Sequence, residues 1–239
     1  VTHSSTSVAQ NVAAAEGVDA MASIVAPVQV EIFSDVVCPW CYIGKTRFDR
    51  ALERLETTKV TVVYSPFQLD PTAPTGTSSP VLEAYAKKFG GPERAEAIIH
   101  HVSATAAEDG LHFAMDKALR ANTALAHRLL LAAESHGLLS TQAALYEGLF
   151  RAYFSEGIDI GDPDALVLIA THAGLEESVA RDALTHSSFE DAFARRLARA
   201  AEIGITAVPT FVIDGKWSIP GAQDVDFFER TLRRLLESS

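Results

Sequence analysis

At 239 residues the chain is long enough to bury a sizeable core without disulfide staples, either as one large domain or as a small domain carrying an insertion. Hydrophobic residues at 48% and charged residues at 21% give an ordinary globular profile. The net charge of −11 argues against a nucleic-acid backbone or an anionic membrane surface as partner, and no apolar run is long enough to cross a bilayer as a helix.

Residues 1–27 read as a disordered Ala/Ser/Val tail. The first basic residue is Lys45, so no positively charged segment precedes an apolar one and no secretory signal is expected. Met21 is a candidate start. The cytoplasm is then the expected compartment, where a cysteine pair is more often catalytic or metal-binding than structural.

Val28 to Phe33 is rich in β-branched and aromatic residues and reads as a strand. Asp35-Val36-Val37-Cys38-Pro39-Trp40-Cys41 follows, and from Tyr42 to about Glu56 the apolar residues Ile43, Phe48, Ala51, Leu52 and Leu55 fall near a helical period. Lys59 to Pro66 is a second strand, which predicts a β-α-β crossover. Asp70 to Pro80 is a Pro/Thr/Ser/Gly loop. From Val81 to Ile203 the periodicity is almost wholly helical. A long helix is expected from Lys117 to His136, Asp162 and Pro163 look like a cap with proline at the first helical position, and Ser188 with Asp191 resembles a capping box. Thr210–Ile213 and Lys216–Ile219 are strands around the hairpin signal Asp214-Gly215, and Asp224 begins a last amphipathic helix. The order βαβ, helices, ββα predicts an α/β fold whose discontinuous domain spans 28–78 and 204–239, with a helical insertion subdomain over 79–203.

The chain has only two cysteines, and two placed at random would fall three apart on the order of 1% of the time. A structural zinc site needs four ligands, and no second pair or spaced histidine cluster supplies them, so no metal is expected. Inert packing is the other alternative. A redox pair has a mechanism. Cys38 falls at a helix N-terminus, where unpaired N–H groups favour a thiolate. Pro39 suits the first turn. Cys41 lies about one turn later, placed to resolve a mixed disulfide.

Strand, Cys38-Pro39-Trp40-Cys41, helix, helical insertion and Thr206-Ala207-Val208-Pro209-Thr210-Phe211 together resemble the DsbA-like branch of the thioredoxin superfamily, and within it the FrnE-like dithiol–disulfide oxidoreductases. That group is related to 2-hydroxychromene-2-carboxylate isomerases and kappa-class glutathione transferases. The resemblance runs from residue 28 to near the C-terminus and implies a thioredoxin fold. It implies an enzyme that reduces, forms or isomerises disulfides in proteins or small thiols, with Cys38 as nucleophile and Cys41 as resolving thiol. It also implies a cis peptide at Val208–Pro209 beside Cys38, where backbone groups of Val208 would pair with an extended substrate. No bound cofactor is implied, although glutathione is a candidate co-substrate. The expected partners are a disulfide substrate and a recycling reductant or oxidant, with the chain a monomer or homodimer. A glutathione-dependent isomerase or transferase of aromatic molecules is the runner-up, but those enzymes typically carry Ser where Cys38 stands and lack the second thiol. A client-binding chaperone with incidental thiols is a third reading.

One departure is visible. Many thioredoxin-fold enzymes hold a buried acid six residues before the first cysteine, and here that residue is Ile32. Glu31 should face the other way, leaving Asp35, Glu31 or a water as candidate proton acceptors. Trp40 has no titratable group to stabilise the thiolate further, so a less oxidising pair than that of strongly oxidising relatives is expected. Asn122 and Thr123 are candidate substrate-cleft residues on the long helix, with interhelical hydrogen bonding the alternative. His127, Tyr153 and Trp217 read as core, Arg195, Arg196 and Arg199 as a solvated face, and Gly221-Ala222-Gln223 as a ligand-facing turn or a cap.

Overall fold

A computed structural model describes residues 28–238, so the expected tail and Met21 lie outside the described residues. Strand β1 (Val28–Ser34) leads through a turn into α1 (Pro39–Leu55), and β2 (Val60–Pro66) returns parallel to β1 with Val28 opposite Val60 and Ile32 opposite Tyr64. The chain comes back to the same sheet only at β5 (Thr210–Ile213), antiparallel to β1, and β6 (Trp217–Pro220), antiparallel to β5. The sheet order is β2-β1-β5-β6, and α9 (Val225–Ser238) packs against α1. This is the α/β arrangement expected of a thioredoxin fold.

Between β2 and β5 lie β3 (Ser79–Pro80), α2 (Val81–Phe89), α3 (Pro92–Glu108), β4 (Leu119–Arg120), α4 (Ala124–Ser135) and α5 (Leu139–Arg151). A π-helical turn over Ala152–Glu156 follows, then α6 (Pro163–His172), α7 (Glu177–Thr185) and α8 (Ser187–Glu202). Helices α4, α5 and α8 all reach β2.

Aromatic packing fixes α1 on both flanks. Phe48 meets Phe211 of β5 at 5.2 Å and Phe228 of α9 at 5.3 Å, while Tyr42 stacks on Phe150 of α5 at 4.7 Å. Phe48, Phe150, Phe211 and Phe228 are all fully buried. Each contributes on the order of 1.5–3 kcal/mol from area removed from water.

Several local expectations need correction. The helix expected from Lys117 begins only at Ala124, because Leu119–Arg120 pair with Ser79–Pro80. The Asn122 side chain, accepting the Ala124 N–H at 3.0 Å, forms the turn that starts it. Asn122 and Thr123 therefore precede the helix. The β5–β6 hairpin has three loop residues rather than two, since Ile213 pairs with Trp217, although Asp214 and Gly215 do take the left-handed conformation (φ 50° and 66°). Trp217 is not core: it is 62% exposed, on an edge strand. Helix α8 is capped by His186 Nδ1, which accepts the Ser188 N–H at 3.2 Å, instead of by a Ser188–Asp191 box. Arg196 and Arg199 are not a solvated face. Arg199 grips both Glu31 carboxylate oxygens at 2.5 and 2.8 Å, and Arg196 bonds Ser65 and Glu134. The Asp162 cap with Pro163 behind it is as expected.

Phe48 joins α1, β5 and α9, so Phe48→Ala should cost about 3–5 kcal/mol of folding stability. The expected result is a lower urea midpoint with an unchanged m-value.

Candidate active site

The turn after β1 closes when the Cys38 N–H donates to the Asp35 carbonyl at 3.0 Å. Cys38 is then the N-cap of α1 in extended conformation (φ −89°, ψ 113°), and Pro39 takes the first helical position, where a missing N–H costs nothing. The Cys38 carbonyl accepts the N–H groups of Cys41 at 3.0 Å and Tyr42 at 3.3 Å. This places the two free thiols one turn apart, at the end of the helix whose unpaired N–H groups favour negative charge.

The second half of the site arrives from 170 residues away. Val208–Pro209 is a cis peptide, and the Cys38 sulfur lies 3.8 Å from the Val208 carbonyl oxygen. Gly44 permits the approach: a Cβ there would stand 3.1 Å from Pro209 Cγ and 3.3 Å from Ala222. The Gly221 N–H donates to the Pro209 carbonyl at 2.8 Å, and Arg47 holds the Ala222 carbonyl at 3.1 Å. The Gly221-Ala222-Gln223 turn therefore braces Pro209.

The two sulfurs differ in surroundings. Cys38 borders a cleft of about 670 Å³ formed mainly with α2, α3 and the loop after β2. Trp40, 38% exposed, stands at its rim with its ring 6.0 Å from that of His101. Cys41 is 1% exposed. Burial pushes its thiol well above the ordinary range, and the neighbouring Cys38 adds to this, while the Ser34 hydroxyl and the Asp35 backbone oppose it.

Tyrosines line the same region. Burial, with Cys38 adding to it, pushes Tyr85 up to about 12, and burial also raises Tyr153. Both remain protonated at neutral pH and offer hydroxyl donors. Tyr153, read from sequence as core, is buried yet lines the cleft, because the π-helical turn carries it there. Lys87, Lys88 and Arg120 also border the cleft, with Arg120 paired to Asp70 at 2.7 Å.

Of the remaining candidates, Asn122 and Thr123 receive the Gln68 amide at 3.3 and 3.4 Å, and Asn122 donates to the Ala73 carbonyl at 2.9 Å. Both side chains stitch down the loop after β2, beside the cleft residues Arg120 and Ala121. Asp35 is fully buried; one oxygen accepts the Leu69 N–H at 2.8 Å and the other lies 3.3 Å from His127 Nε2. His127 is thus a buried partner of Asp35, its ring stacked on Phe193 at 5.8 Å. Glu31 faces α8 and Ser65, as strand alternation requires, and Ile32 is buried. Sequence reasoning missed Gly44, Ser34, Tyr85 and Tyr146. Only Gly44 carried a signal, as a glycine inside a helical period. Among the described residues no group of three or more His, Cys, Asp or Glu side chains is arranged to hold a metal ion.

The fold has counterparts. Residues 29–233 match the DSBA-like thioredoxin domain. The uncharacterized protein YwbO of Bacillus subtilis (strain 168) is 30% identical over 220 residues, covering 86% of this chain and 96% of that protein. The crystal structure of a probable DsbA oxidoreductase from Streptomyces coelicolor superimposes with a TM-score of 0.80 at 33% identity, over 89% of this chain and 91% of that one. The cytosolic disulfide reductase DsbM from Pseudomonas aeruginosa shares the fold, with a TM-score of 0.63 at 22% identity over 88% of this chain and 100% of that one. With the family model matching residues 29–233 and a probable DsbA oxidoreductase 33% identical and alike in fold, the chain belongs to the DsbA-like thioredoxin family of oxidoreductases.

Proposed function

We propose that Cys38 attacks a substrate disulfide and Cys41 resolves the mixed disulfide that results. The observation that carries this reading is the unequal setting of the two sulfurs. Cys38 sits at the cleft and the helix N-terminus, 3.8 Å from the Val208 carbonyl, whereas Cys41 is walled off behind it. The Cys38 thiolate breaks the substrate S–S bond, forming Cys38–S–S–R and releasing one thiol. The Cys41 thiolate then attacks the Cys38 sulfur, and the second substrate sulfur leaves and takes up the proton. Run backwards, the same steps form or shuffle disulfides.

The substrate fits two descriptions with one chemistry. An extended peptide pairs with the backbone of Val208 while an apolar side chain beside its disulfide enters the cleft, which presents Leu69, Val81, Phe89, Ile98 and Val102. A small thiol such as glutathione meets Lys87 and Lys88 with its carboxylates. A DsbM structure with GSH, 21% identical and with a TM-score of 0.63, lends support to glutathione as co-substrate. The likeness to that cytosolic reductase likewise supports a cytoplasmic setting, with a cellular reductant or oxidant recycling the pair. The isomerase alternative is disfavoured because both thiols are retained, and Cys41 has no use in it.

Insulin reduction provides the first test. Cys38→Ser should abolish it, and Cys41→Ser should trap a mixed disulfide visible by intact mass; full activity in Cys38→Ser would refute the assignment. Because Trp40 brings no cation to the thiolate, the potential measured against glutathione should lie well below about −120 mV. Ile98 is 36% exposed on the cleft wall, so Ile98→Glu should lower kcat/KM roughly tenfold for a peptide disulfide flanked by Leu or Phe. A polar peptide disulfide should change far less.

A further inference from the structure

Behind Cys41 two hydroxyls are buried without a hydrogen-bond partner. Ser34 at the end of β1 and Tyr146 on α5 are each 1% exposed, and neither oxygen completes a bond to any protein group. An orphaned buried hydroxyl is costly, and two together at a reactive sulfur call for a reason. The Ser34 hydroxyl faces the Cys41 sulfur, the Asp35 backbone faces it as well, and Tyr146 adjoins both Ser34 and Cys41.

We infer that the Ser34 and Tyr146 hydroxyls, with the Asp35 backbone N–H, form a thiolate hole that accepts Cys41 as it deprotonates to resolve the mixed disulfide. This rests on Cys41 being the resolving thiol. In the dithiol neither hydroxyl completes a well-formed hydrogen bond. Once Cys38 is joined to a substrate sulfur, Cys41 loses its proton, its S⁻ accepts from the waiting donors, and it attacks the Cys38 sulfur. The S–S bond to the substrate breaks, and the departing thiolate takes the proton. Donors fixed in place before charge develops need no reorganisation when it does. They offset the burial that otherwise holds the Cys41 proton on.

Other groups around the hole do not replace it. From α1 the neighbour is Cys38. On β2, Tyr64 stacks on Tyr146 at 4.4 Å, and Lys45 of α1 acts on Tyr64 beyond it. The Asp35 carboxylate is engaged by Leu69 and by His127 of α4, with Tyr153 close by.

The reaction of the reduced full chain with 5,5′-dithiobis(2-nitrobenzoate) separates the steps. Cys38 attack releases one chromophore, and Cys41 resolution releases the second. In Ser34→Ala and in Tyr146→Phe the first phase should keep its rate. The second should slow roughly tenfold in each and up to a hundredfold in the double variant, with its pH profile displaced upward. Both changes delete orphaned hydroxyls, so the thermal midpoint should hold or rise. An unchanged second phase in the double variant would overturn the thiolate hole, as would equal slowing of both phases with a lowered midpoint. A first phase surviving in Cys38→Ser would instead overturn the assignment of the two thiols.

Discussion

The contact on which the rest depends is the one between the first turns of α1 and the loop that leads into β5. Cys38 and Val208 are separated by 170 residues, and their apposition needs both helix and sheet to be held in place. Gly44 sets how close the two can come, since any side chain would push against Pro209 and Ala222. Phe48 supplies the adhesion one turn further on, against Phe211 and Phe228. The close approach and the apolar cluster lie on one helix face, at positions 44 and 48, so the same packing that buries the core presents the sulfur to the Val208 carbonyl. Whatever loosens this face therefore loosens the site.

The same helix gives its two cysteines different environments, since both are buried but only Cys38 borders the cleft. A residue at the N-cap meets the open ends of the first-turn N–H groups and lies at the surface of the cleft. A residue one turn later points back into the packed layer beneath. Cys41 therefore carries the full cost of burying a charge, which raises its thiol, whereas Cys38 borders the cleft. In the proposed chemistry that difference sets the order: the sulfur at the cleft meets the substrate, and the one behind it acts once its partner is bonded to substrate.

Much of this was legible in the sequence, and the failures are informative. Strand, cysteine pair and helix were readable because each has local chemistry, β-branched alternation and a cap position, whereas the place of Val208–Pro209 beside Cys38 came only with the family resemblance. The late start of α4 was hidden because Leu119–Arg120 look helical until Ser79–Pro80 arrive from 40 residues away to pair with them. Arg199 resembled a solvent residue because its partner Glu31 is distant in sequence. Trp217 looked like core on hydrophobicity alone, although an edge strand leaves one side open. Tyr146 and Ser34 gave no signal, since a hydroxyl without a partner is a property of the packed interior and not of any spacing.

The position of the acid follows from strand alternation. On β1, residues 28, 30 and 32 turn one way and 29 and 31 the other. Glu31 is therefore committed to Arg199 and Ser65 on the α8 side, and Ile32 fills the place where related folds keep a carboxylate. Cys41 is nonetheless not set against a purely apolar wall. The strand ends at Ser34, whose hydroxyl faces Cys41 together with the Asp35 backbone, while the Asp35 carboxylate turns to Leu69 and His127, and these groups need complements that the small sheet cannot provide. Helix α5 brings Tyr146 and α4 brings His127, both from the stretch between β2 and β5. The core thus carries the orphaned hydroxyls of Ser34 and Tyr146 beside Cys41, a structural cost that the inferred thiolate hole accounts for by having donors in place before charge develops.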